Sequence, residues 1–199
     1  KDTLRYRIGV ATYSVGVAYN NRKTSLQFIQ QEMNNITALS NETCQLGIQS
    51  RNMVFYIAKK DSPQPIRLMS SVGKQLPLYC TGLGRALLAY KSEEEIRSLF
   101  PEVLTAYTPH TIATINDLLK ELELTRQRGY AVEHEETNLM VNCIAVSLDY
   151  NNAPIAALSI SIPTFRISES KEKEAVQILW EAKQRIETHF KMYGVDFGN

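Results

Sequence analysis

The chain has 199 residues, 44% of them apolar, with 22 Lys and Arg against 21 Asp and Glu for a net charge of +1. That suffices for one cored domain plus an extra segment, and it excludes nucleic-acid binding through bulk charge alone. No apolar run approaches the roughly 20 residues of a membrane span, the opening KDTLRYRIGV lacks the apolar stretch of a signal peptide, and Cys44, Cys80 and Cys143 are too scattered for a disulfide framework or a Cys-rich zinc site.

Residues 3–9 alternate partly and suggest a short strand. Residues 10–20 read as a helix weakened by Gly16, and Asn20–Asn21 mark a break. In residues 24–39, Leu26, Ile29, Met33 and Ile36 recur at helical spacing, which predicts an amphipathic helix. The period then changes. TCQLGIQS (43–50) and MVFYIAKK (53–60) are β-rich and flank Arg51–Asn52, a hairpin signal. A loop at 61–65 leads to a further expected strand, IRLMSSV (66–72), ended by Gly73.

LPLYCTGLGRALLAY (76–90) places Gly82 and Gly84 at the start of a helix. Ser92 with Glu95 fits a capping box for the next helix. Thr114 and Gly129 bracket a helix over 115–129. NCIAVSLD (142–149) and PIAALSISIP (154–163) read as strands joined by the turn YNNA, and a helix with an apolar face of Ala175, Ile178, Leu179, Ala182 and Ile186 runs from about 169 to 192. Antiparallel hairpins joined by helices predict an α+β domain with helices packed on a sheet.

Four features carry possible chemistry. Ser159 and Ser161 share one strand face, ~6.6 Å apart, while Leu158, Ile160 and Ile162 face a core. The pair either grips a small polar ligand or meets water and neighbouring loops. Glu133, Glu135 and Glu136 offer carboxylates to a ligand hydroxyl, or form a solvated acidic loop. Cys143 shares a face with Ala145 and Ser147. The start of the helix at Gly82–Leu83–Gly84 exposes amides suited to one small carboxylate. Alternatively, its glycines serve only close packing. Rossmann, P-loop and GxSxG patterns are all missing, so neither a nucleotide nor a catalytic serine is indicated. His110, His134 and His189 have no metal-ligand spacing, and no metal, cofactor or catalytic residue is expected.

The runs SSVGKQLPLYCTGLGRALLAY, LTAYTPHTIAT and LLKELELTRQRGYAVEHEETNLMVNCIAVSLDYNNAPIAALSISIPTFRIS resemble, in order and spacing across about 24–190, the effector-binding part of IclR-type (isocitrate lyase regulator) transcriptional regulators. The resemblance implies a GAF-like α+β domain, an antiparallel sheet flanked by helices and preceded by a linker helix. It divides the chain into the end of a winged helix-turn-helix wing (1–9), the linker helix (10–22) and the effector-binding domain (23–199). The DNA-reading helices would precede this chain. It further implies a cytoplasmic regulator, a homodimer or homotetramer, whose effector is a small organic acid.

By the same resemblance the backbone of Gly82 and Leu83 holds the effector's carboxylate, with Glu133, Cys143, Ser159 and Ser161 around it. Leu68, Met69, Leu76 and Val141 form the apolar walls. Three positions depart from the family pattern: Arg85 replaces a Lys, Glu133 replaces an Asp, and Met140 replaces a Gly, where a side chain would narrow the pocket or alter the loop. Two other readings remain at this point: an enzyme acting on a small acid through Cys143 or Glu133, and a dimerisation module without a ligand.

Overall fold

The computed structural model describes residues 9–12, 14, 25–65 and 71–197. Of the segment expected to be the linker helix, Val10, Ala11, Thr12 and Ser14 are helical. The rest of that segment, the expected strand at 3–9 up to Ile8, and positions 66–70 lie outside the described residues, so Leu68 and Met69 do as well.

The elements in chain order are α1 (Ser25–Ser40), β1 (Thr43–Ser50), β2 (Met53–Lys60), β3 (Gln75–Pro77), a 3-10 turn (Leu78–Cys80), α2 (Gly82–Leu88), α3 (Glu93–Leu99), α4 (Ile115–Arg128), β4 (Ala131–His134), β5 (Val141–Tyr150), β6 (Ala153–Pro163), a second 3-10 turn (Thr164–Arg166) and α5 (Glu169–Tyr193). The six strands form one sheet in the order β3-β2-β1-β6-β5-β4, every neighbouring pair antiparallel. This is the α+β arrangement expected from the sequence.

Strand alternation sorts side chains between two helical layers. Cys44, Leu46, Ile144, Val146, Leu158, Ile160 and Ile162 project into a core with α1 and α5. The opposite face carries Ala131, Ala145, Ala157, Val54 and Tyr56, and packs against α2 and α4. The first face is branched and bulky, the second mostly small. That difference lets α2 approach the sheet closely.

Local chemistry fixes the ends of the elements. Ser92 and Glu95 form the expected capping box on α3. Thr114 caps α4, and Gly129 ends it at φ 78°. Asn151 and Asn152 both take left-handed φ in the β5–β6 hairpin, as a two-residue turn requires. Two short strands escape the sequence reading. β3 has only three residues, and Ser71–Val72, expected as the end of a strand, lie in an irregular turn. β4 occupies the stretch that reads as an acidic loop.

Gly84 faces the turn before its own helix. A Cβ there would lie 2.1 Å from the Leu78 carbonyl oxygen and 2.4 Å from its Cα, a clash with backbone that no rotamer relieves. Gly84→Ala therefore costs about 3 kcal/mol or more, read as a lowered urea midpoint with an unchanged slope. A loss under about 1 kcal/mol would mean that the turn and helix separate freely.

Candidate functional site

The site begins with the seating of α2. Cβ atoms of Cys143 and Ala145 lie 3.3 and 3.4 Å from where a Gly82 Cβ would be, so the helix starts directly over β5. Thr81 caps it, its hydroxyl accepting from the Gly84 amide at 3.1 Å and its carbonyl from the Arg85 amide at 2.9 Å. Gly82 and Leu83 supply the other two first-turn amides, which no intrahelical carbonyl reaches. The Leu83 side chain packs down toward Gly47 on β1.

The pairing registers set the floor. Glu133 on β4 lies opposite Cys143 on β5, which lies opposite Ser161 on β6; Ala145 lies opposite Ser159, and Ser159 opposite Gln45 on β1. Directly opposed residues share a face, so Glu133, Cys143, Ser159, Ser161 and Gln45 all lie on the α2 side. Tyr56 on β2 joins them, its phenol influenced by Cys143, Glu133 and Cys80. The structure thus brings together Gly82, Leu83, Glu133, Cys143, Ser159 and Ser161. Leu76 and Val141 are half-buried on β3 and β5.

The hydrogen bonds of the floor are unevenly distributed. Ser161 Oγ donates to Gln45 Oε1 at 3.0 Å and lies 3.2 Å from Cys143 Sγ, whose thiol also hydrogen-bonds the Glu133 carboxyl. Ser159 is 1% exposed, and its hydroxyl has no partner among the described residues. Glu133 is equally buried. Its Oε1 accepts the Glu136 and Thr137 amides at 2.5 and 3.2 Å, while Oε2 has no hydrogen-bond partner among the described residues. Cys143 keeps some accessible surface, although its neighbours Ile144 and Ala145 have almost none. Two orphaned buried polar atoms in one small area are uncommon, because each forfeits hydration without compensation.

Burial dominates the electrostatics. Desolvation pushes the Glu133 carboxyl up to about 7, against the two amides that favour its ionised form. It likewise raises the Cys80 thiol to about 12 and the Cys143 thiol and Tyr56 phenol well above their ordinary values. Cys143 is therefore a neutral thiol at physiological pH and a poor nucleophile.

Arg85 serves the frame. It is 1% exposed, pairs with Glu136, and donates to the carbonyls of Val132 at 2.9 Å and Tyr79 at 3.0 Å. Glu136 also accepts the Ile112 amide, and the hydroxyls of Thr108 and Thr111 hold the Glu135 and Glu136 carbonyls at 2.6 Å each. The acidic stretch is thus partly a buried clamp rather than a solvated loop. Met140 has φ 66°, a conformation that suits glycine. Its side chain is 56% exposed. Sequence reasoning missed Tyr56, Gln45 and the Arg85–Glu136 pair. Gln45 was visible as a polar residue in an apolar strand.

A separate cleft of about 210 Å³, lined by Ala86, Tyr90, Thr125, Ala131 and Ser147, opens past the other end of α2 and contains none of the expected residues. Its wall is already closed by Arg126, which donates to the Ala89 and Lys91 carbonyls.

The sequence matches the family described as the bacterial transcriptional regulator IclR C-terminal domain over residues 18–188. The chain belongs to the IclR family. This IclR domain is 33% identical to the HTH-type transcriptional regulator KdgR of Dickeya chrysanthemi over 187 residues, 93% of this chain and 61% of KdgR. It is 32% identical to the HTH-type transcriptional repressor AllR of Escherichia coli over 185 residues, 92% of this chain and 68% of AllR. The crystal structure of Thermotoga maritima IclR superposes with a TM-score of 0.83 at 30% identity, covering 91% of this chain and 74% of that one. The chain thus spans less than two thirds of KdgR.

Two outcomes follow for the IclR domain. Glu133 binds its proton more tightly folded (about 7) than unfolded (near 4.5). Folding stability therefore falls as pH rises from about 4.5 to about 7, by up to about 3 kcal/mol. Urea melts across that range check this, and Glu133→Gln removes the slope. Arg85→Met leaves Glu136 buried without its cation and costs about 3–5 kcal/mol, much of it recovered in Arg85→Met/Glu136→Leu. A double-mutant cycle measures the recovery.

Proposed function

We propose that this chain is the effector-sensing part of a DNA-binding transcriptional regulator, and that its effector is a small organic acid. The observation that carries this reading is the pair of orphaned buried atoms, Ser159 Oγ and Glu133 Oε2, flanking the strand on which α2 begins. A core evolved only for packing would fill these positions with apolar atoms. A ligand supplies the missing partners. Its carboxylate meets the Gly82 and Leu83 amides, and Ser159 and Glu133 bind its remaining oxygens.

In this reading residues 1–9 are the end of a winged helix-turn-helix wing, 10–22 the linker helix and 23–199 the sensing domain. DNA is read by a domain preceding this chain, and the regulator acts in the cytoplasm as a homodimer or homotetramer. Regulation requires the effector to favour one arrangement of these parts over another. The relatives named as transcriptional regulators support sensing over turnover, as does the protonated, hydrogen-bonded Cys143 thiol.

A thermal-shift screen with pyruvate, lactate, gluconate and benzoate tests the reading. At 100-fold excess over Kd, a bound acid adds about 2.7 kcal/mol of stability. The shift disappears in Ser159→Ala and Glu133→Ala. A folded protein that no acid stabilises would favour the dimerisation module instead.

A further inference from the structure

We infer that the acid effector is captured together with one proton, with Glu133 as the neutral partner that donates Oε2–H to it. The inference rests on the sensing site proposed above and specifies the ionic form in which that site is occupied.

The argument is one of charge in a dry space. An anion on the Gly82 amide lies over Cys143, and Glu133 is the residue paired with Cys143 on the next strand. Directly paired residues in antiparallel strands have Cα atoms only ~4.5–5.5 Å apart. A bound carboxylate and an ionised Glu133 would therefore be close neighbours, both buried. Like charges that close do not both stay ionised unless a cation lies between them.

Among the described residues, the groups facing Glu133 supply none. From β5 comes the neutral Cys143 thiol, from β2 the neutral Tyr56 phenol and from the turn before α2 the neutral Cys80 thiol. From the following loop comes Glu136, whose charge is met by Arg85 of α2. Arg85 is committed there and to the Val132 and Tyr79 carbonyls. His134, next in sequence, points to the other face and bonds Asn142. The main influences on Glu133 are burial, the Glu136 amide, a hydrogen bond from the Cys143 thiol, the Thr137 amide and the Glu136 charge, with no cation among them.

The geometry of the carboxyl agrees. Its Oε1 is an acceptor already engaged by two amides, so the proton belongs on Oε2, the atom without a partner. A protonated Oε2 is a donor without an oxygen or nitrogen acceptor among the described residues. A carboxylate or keto oxygen of the effector is such an acceptor. Its burial also holds the carboxyl near pH 7, so the proton is available under ordinary conditions.

The test uses the full chain and whichever of pyruvate, lactate, gluconate and benzoate binds most tightly at pH 6. Calorimetric titrations at pH 6, 7, 8 and 8.5, in two buffers of different ionisation enthalpy, give Kd and the protons taken up. The expected result is a constant Kd below about pH 7, a tenfold weakening per pH unit above it, and uptake approaching one proton at pH 8.5. Glu133→Gln, which keeps a donor at the same place, binds at pH 8.5 within about threefold of its affinity at pH 6. A wild-type Kd that is flat to pH 8.5 without proton uptake overturns the proton-coupled capture and leaves acid sensing intact. Failure of all four acids to bind at any pH overturns the acid-sensing reading and this inference with it.

Discussion

The approach of α2 to the sheet is the constraint from which the site follows. A helix beginning with Gly82 and Gly84 can lie against strands lined with Cys143, Ala145 and Ala157, where a helix of ordinary side chains would stand off by several ångströms. Gly47 extends the same surface under Leu83. Close contact puts first-turn amides, which are partly positive, above a floor of hydroxyl, thiol and carboxyl groups. Close packing and the anion binding proposed above are thus two consequences of one geometry. The sequence offered them as rival explanations for the same glycines.

The two buried acids beside this contact have opposite fates. Glu136 is matched by Arg85, whose guanidinium spends its other donors on backbone carbonyls. That arrangement meets the conditions under which a buried ion pair is tolerated: good geometry and no donor wasted. Glu133, three residues earlier, is buried as deeply, with no cation beside it among the described residues. It resolves the cost of burial by holding its proton instead. The difference between the two acids lies only in what each one faces.

Much of this was legible in the sequence where periodicity is strong. α1, α4 and α5 announce themselves by apolar spacing and caps, and the β1–β2 and β5–β6 hairpins by alternation around turn residues. The face shared by Ser159 and Ser161 followed from alternation alone. β4 did not, because four residues give too short a pattern and GluHisGluGlu reads as surface. Only the pairing with β5 turns Glu133 inward. The pairing of Arg85 was invisible for a similar reason: its partner Glu136 is 51 positions away in sequence. The openness of Ser159, against the engagement of Ser161 by Gln45, depends on a third strand and was invisible from one strand read by itself.

The site and α1 lie on opposite faces of the sheet, so any signal between them must cross it. β1 is the strand with a stake on both sides. Gln45 faces the site and holds Ser161, while Cys44 and Leu46 on either side of it are packed in the core with Leu26, Ile29, Met33 and Ile36 of α1. In the proposed reading an effector on Ser159 adjoins Gln45, its directly paired neighbour on β1, and a shift of β1 would be felt by α1 because the core between them is densely filled. In that reading the shortest physical route from a bound acid to the residues before α1 runs through a single strand and the helix packed behind it.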